Sequence, residues 1–154
     1  MSAEIHPEFE NIINCQTQTN AGLGNMNIWH LIRTSNVNSG QSTYSWVNNG
    51  AHADVYILDT GIDTDHPEFT NNRAHHEYVA PLLAGQGFTD RHGHGTHVAS
   101  LTGGNIMGIA KSCQLYNIKV LGDNGSGSTG GIVSGIQHSD TRYEMNLVAY
   151  TTYQ

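Results

Sequence analysis

Ala53-Asp54-Val55-Tyr56-Ile57-Leu58-Asp59-Thr60-Gly61-Ile62-Asp63 is the stretch that decides the fold. Val55 to Leu58 is an apolar run, rich in β-formers and bounded by turn residues. A strand that is apolar on both sides must be covered on both faces, which is how parallel sheets sit between helices. The run ends in a carboxylate, Asp59, followed by Thr60-Gly61. A strand ending there delivers the carboxylate to the carboxyl edge of the sheet, where open α/β folds build their sites. Taken alone, Asp59 reads as a turn aspartate; its neighbours along the chain change that reading.

Outward from this strand, the chain alternates. Gln114 to Leu121 reads as a second buried strand, and a third is expected near Glu77 to Ala80. His94 to Thr102 reads as a helix stopped by Gly103-Gly104, and Gly131 to Ile136 opens another. Gly24 to Ile32 carries a weak helical pattern, Pro67 disfavours helix at His66, and Asn36 to Gly50 and Gly122 to Gly130 read as loops. Met1 to Asn20 is expected to be extended or disordered. Strands alternating with helices predict an α/β fold of three layers, with a mainly parallel sheet flanked by helices.

The second informative stretch is His92-Gly93-His94-Gly95-Thr96-His97-Val98-Ala99. It reads as an imidazole set between glycines at the head of a helix, where small neighbours allow backbone and substrate to approach. An aspartate and a histidine are two of the three parts of a nucleophilic triad, in which the carboxylate orients the imidazole and the imidazole takes a proton from a hydroxyl. His97 reads as a structural residue of the helix and Asp63 as a stabiliser of the turn after Asp59. Ser126, Ser128 and Ser134 lie in neither a Gly-Thr-Ser-x-Ala nor a Gly-x-Ser-x-Gly setting.

These two stretches, with His66-Pro67-Glu68-Phe69, Gly108-Ile109-Ala110-Lys111 running on to Val120-Leu121, and Asp123-Asn124-Gly125-Ser126-Gly127, resemble the subtilisin-like serine proteases, closest to their proteinase K-like branch. The resemblance runs from about Thr19 to Ile136. It implies a partial subtilisin-like fold, peptide-bond hydrolysis in proteins as the family activity, and Asp59 and His94 as catalytic acid and base. It also implies that Gly125, Ser126 and Gly127 pair with an extended peptide substrate as an edge strand, and that Trp29 and Leu31 pack on the core. Met145 to Gln154 resembles the family's extreme C-terminus, whereas the middle, with the oxyanion asparagine and the nucleophilic serine, has no counterpart. The expected organisation is therefore residues 1–18 as a propeptide remnant or disordered segment, 19–136 as the N-terminal half of the peptidase domain, and 137–154 as a junction and C-terminal remnant of that domain. Loss of the middle is expected to strip partners from Val55, Ile57, Ile118 and Val120 and to expose an apolar patch.

The resemblance implies a secreted protein, although Met1 to Glu10 is polar and acidic and does not read as a signal peptide. It further implies protein substrates and a propeptide-type inhibitor, with Glu8 to Ile13 as a remnant of the latter. The formal charge of −7 over 154 residues argues against nucleic-acid binding, and no apolar run is long enough to span a bilayer. Ten histidines raise the question of zinc. The spacings His92-x-His94-x-x-His97 and His75-His76 match no recognised site, so no metal and no cofactor is expected. Cys15 and Cys113 permit one bridge by number, and Cys113 reads as a half-buried thiol.

Overall fold

The computed structural model describes residues 15–21, 23, 27–35, 40, 42–142 and 148–150; backbone alone is considered for 142 and 148–150. The expectations for Glu8 to Ile13, and for most of Met145 to Gln154, fall outside these residues. The chain divides into two compact units, Met1–Asn49 and Gly50–Gln154.

In the first unit, β1 (Gln16–Thr19) pairs antiparallel with β2 (Thr43–Trp46), and α1 (Trp29–Ser35) lies between them in sequence. β1 agrees with the extended alternative for Met1 to Asn20, whereas β2 corrects the loop expected over Asn36 to Gly50. Thr43-Tyr44-Ser45-Trp46 alternates hydroxyl and aromatic side chains, and Tyr44 and Trp46 stack with ring centroids 4.9 Å apart. That alternation is the strand signal hidden by the Ser/Asn-rich surroundings. Leu31 is buried, but Trp29 is 67% exposed, so only one of the two residues expected in the core lies there.

The second unit is a three-layer α/β arrangement. Its four-stranded sheet runs in the order β4 (Ala74–Val79), β5 (Gln114–Lys119), β3 (Asp54–Asp59), β6 (Val148–Tyr150). All three pairings are parallel. Val55 and Ile57 point to one face, where they join Leu115, Cys113 and Ala99; Tyr56 and Leu58 point to the other, with Ile118, Val120, Ile132 and Ile136. The first face is covered by α2 (His94–Gly103) and the second by α3 (Thr129–Arg142).

Both helices meet the sheet through small residues four apart. On α2 the buried stripe is Gly95, Ala99 and Gly103; on α3 it is Gly131, Gly135 and Ser139. A Cβ on Gly103 would lie 2.6 Å from Cys113 Sγ, and one on Gly135 would lie 2.5 Å from Val120 Cγ1. The helices therefore sit nearly in contact with the strands. This closes the faces that the sequence reading left open: Val55, Ile57, Ile118 and Val120 are all buried, and the expected apolar patch does not form there. α3 begins behind Ser128, whose hydroxyl accepts the Gly131 amide at 3.1 Å, and it continues to Arg142. Cys113 is fully buried rather than half-buried, and both cysteines are free.

Candidate active site

The carboxyl ends of β3 and β5 bring the chemistry together. Asp59 closes β3, Lys119 closes β5, and the Asp59 carbonyl accepts both the Val120 amide (3.0 Å) and the Leu121 amide (3.1 Å). Two donors on one carbonyl end the regular ladder and turn the chain into the 121–127 loop.

His94 is the first residue of α2, and its Nδ1 lies 2.8 Å and 3.0 Å from the two Asp59 carboxylate oxygens. The carboxylate is 1% exposed and the imidazole side chain 23% exposed. The Thr60 amide also donates to Asp59 Oδ1, at 2.7 Å. A carboxylate can only accept, so this contact puts the proton on Nδ1 and makes Nε2 the basic ring atom. A buried acid gripping a partly open imidazole is the geometry that prepares a histidine to take a proton from a nucleophile.

Local backbone explains how the imidazole reaches the acid. Gly61 has φ +124° and Gly93 φ +91°, conformations that favour glycine, and they turn the chain out of β3 and into α2. Gly95 lies directly on the Gly61 backbone. His97 is on the exposed side of α2, and the Asp63 amide donates to Thr96 Oγ1 at 2.9 Å while its carbonyl accepts the His66 amide at 3.2 Å.

Gly125, Ser126 and Gly127 lie in a tight turn beside this pair. Gly125 has φ +78°, and a Cβ there would lie 2.9 Å from His92 Nε2; the His92 and His94 ring centroids are 6.2 Å apart. The turn is closed by the Gly122 amide on the Ser126 carbonyl, the Gly125 amide on the Gly122 carbonyl, and the Ser126 amide on Asn124 Oδ1. The Ser128 and Ser134 hydroxyls are engaged on α3.

Several residues of this region escaped the sequence reading. Asp90 accepts hydrogen bonds from Thr60, Thr96, Gly93 and His92. Burial opposes its ionisation, but the bonds from Thr96, Gly93 and Thr60 outweigh burial and hold its pKa below the usual carboxylate value. Lys119 is fully buried, with Nζ on the Thr60 carbonyl and 3.1 Å from Asp123 Oδ1. Asp123 also pairs with Arg91 at 3.0 Å, and these cations, the Lys119 hydrogen bond foremost, lower its pKa. The only sequence signal for Asp90 was an acid just ahead of a helix start, which also fits any exposed cap. For Lys119 there was none.

Among the described residues, no three His, Cys, Asp or Glu side chains converge to hold a metal ion. His75 stacks on Tyr116 and His76 on Phe88, so these neighbours point apart. No described helix is long and apolar enough to cross a membrane.

Comparison with known proteins shows the family. The model of the Subtilase family matches residues 50–146. The chain is 42% identical over 111 residues to a cuticle-degrading protease of Metarhizium anisopliae, covering 71% of this chain and 28% of that protein. It is 43% identical over 118 residues to a subtilisin-like serine protease of Sarocladium strictum, covering 74% of this chain and 29% of that one. It thus spans less than a third of these relatives. Among solved structures, a cold-adapted subtilisin-like serine proteinase aligns with TM-score 0.69 and 32% identity, over 75% of this chain and 42% of that one. The chain belongs to the subtilisin-like serine protease family, in its proteinase K-like branch.

Proposed function

We propose that residues 19–136 are the N-terminal half of a serine endopeptidase domain, that 137–154 is a short C-terminal piece of the same domain, and that Asp59 and His94 are its orienting acid and general base. The observation that carries this reading is the contact between the buried Asp59 carboxylate and His94 Nδ1, at 2.8 Å. The family's nucleophile motif is not among the 154 residues. Removing the serine from such a triad lowers turnover by about a millionfold, a value known from subtilisin itself, a member of this family. The chain by itself is therefore inert toward peptide bonds. Its family substrates are proteins, and secretion is the matching location.

Two measurements test this. The isolated chain should neither cleave casein nor react with a serine-directed fluorophosphonate; cleavage blocked by that reagent would overturn its inertness. Residues 50–136 should also replace the corresponding segment of the Metarhizium anisopliae relative and give an active hybrid. In that hybrid Asp59→Asn should lower turnover by about four orders of magnitude. A hybrid indifferent to Asp59 and His94 substitutions would remove their assigned roles.

The 125–127 turn favours a second reading, capture of extended peptides without cleavage. Gly125 presents backbone without a side chain next to His92, while Gly127 lies against the Val120 carbonyl and the Leu121 side chain. The turn already uses the Ser126 amide and carbonyl and the Gly125 amide, so a peptide strand would pair at the Gly125 carbonyl and at Gly127. Peptide binding to the isolated chain, followed by fluorescence anisotropy and abolished by Gly127→Val while the wild-type melting midpoint is retained, supports it. Binding that the substitution leaves unchanged excludes it.

A further inference from the structure

Asp59 and His94 come from segments 35 residues apart, and one carboxylate binds both segments without touching either residue. Asp90 Oδ1 accepts Thr60 Oγ1 at 2.8 Å, the Gly93 amide at 2.8 Å and the His92 amide at 3.2 Å; its Oδ2 accepts Thr96 Oγ1 at 2.6 Å and the Thr96 amide at 2.9 Å. Thr60 directly follows Asp59, and its amide holds Asp59 Oδ1. Gly93 directly precedes His94. Thr60 Oγ1 also accepts the Gly95 amide at 3.0 Å, which closes a ring of contacts around the pair.

We propose that Asp90 is the positioning residue of the site: it fastens the end of β3 to the first turn of α2, and so sets the register in which Asp59 meets His94. The proposal rests on the proposed function of that pair. The chemistry suits the task. A single carboxylate offers two oxygens with several lone pairs each, and ionised acceptors form the stronger hydrogen bonds. Three of its donors are amides at the start of α2, which have no partners inside the helix and carry its positive end. The depressed pKa of Asp90 agrees, because those bonds favour the ionised form. An asparagine keeps the shape but loses the charge and offers one oxygen in place of two, so the strand-end and helix-start bonds cannot all form.

The test reads the pair itself rather than activity. In chain labelled with nitrogen-15 at histidine, the Nδ1 proton of His94 held by Asp59 should give a protected, downfield proton resonance, assigned by its loss in His94→Gln. Its absence in the wild-type chain would sink the reading of the pair, separately from the role of Asp90. With the resonance present, Asp90→Asn should abolish it while far-ultraviolet circular dichroism and a cooperative melt persist. Retention at the wild-type shift would overturn the proposal. If Asp90→Asn melts without cooperativity, Thr96→Val removes one of the Asp90 donors and leaves its amide donors, although the Asp63 amide also loses its acceptor. It should move the resonance upfield and speed its exchange, and an unchanged resonance there overturns the proposal equally. Ser128→Ala, which removes a cap on α3, should lower stability and leave the resonance in place; its loss in that control would show that the signal follows general stability and would also overturn the role of Asp90.

Discussion

Gly95 packs on Gly61 so closely that a Cβ on Gly95 would collide with the Gly61 carbonyl oxygen and lie 3.1 Å from Asp59 Cβ. The helix that carries His94 is therefore seated on the strand end that carries Asp59 through bare backbone. Gly95→Ala must lift α2 from β3 or bend the strand end. Overpacking of this kind costs about 1–3 kcal/mol. Urea denaturation should show a lower midpoint with an unchanged slope, together with loss of the His94 Nδ1 proton resonance. A variant as stable as wild type would mean that this contact is looser than described.

Cys113 and Cys15 should report on the layers by their reactivity. Cys113 is fully buried against Gly103 and Leu115, and burial pushes its thiol pKa up, whereas Cys15 is exposed. A thiolate-specific reagent at neutral pH should label one cysteine in the native chain and both after denaturation. Rapid native labelling of Cys113 would mean that α2 does not stay seated on the sheet.

The parts legible in the sequence were those governed by local pattern. Val55 to Leu58 announced a two-faced strand, and the glycines around His94 announced a helix start at the site. The stripes Gly95-Ala99-Gly103 and Gly131-Gly135-Ser139 were also there to be read at four-residue spacing, and they explain why the faces of β3 are covered. What stayed hidden depends on distant partners. Asp90 acquires its role from Thr60, 30 residues away, and Lys119 from the Thr60 carbonyl, 59 residues away. β2 was masked because four alternating residues among serines and asparagines resemble a loop until β1 pairs with them. The roles of Asp59 and His94 in turnover belong to the hybrid experiment.

Lys111 gives a pH dependence with a definite sign. Burial lowers its pKa from 10.5 to about 8, against the opposing pull of Glu68. Between those two values the unfolded chain holds a proton that the folded chain has released, so stability rises with pH across that window. Below about 8 both states hold the proton and the contribution is constant. Subtracting the denaturation profile of Lys111→Met from that of wild type, from pH 7 to 11, should leave a rise of this sign. A flat or falling difference would show that the ammonium is not desolvated in the folded chain.

Lys119 and Asp123 should contribute unequally. Lys119→Met removes a buried charge together with its need for solvation, and leaves the Thr60 carbonyl without this donor, at a cost of about 1–3 kcal/mol. Asp123→Ala does the opposite: it leaves the fully buried ammonium in place and takes away its counter-charge. Taking the counter-charge from a buried ammonium is the more damaging change, because the remaining charge has lost its compensation. Asp123→Ala should therefore destabilise more than Lys119→Met, and the double variant should be more stable than Asp123→Ala alone. Strict additivity in this cycle would show that the two residues do not interact, and the link from the 121–127 loop to the end of β3 would then rest on backbone bonds alone.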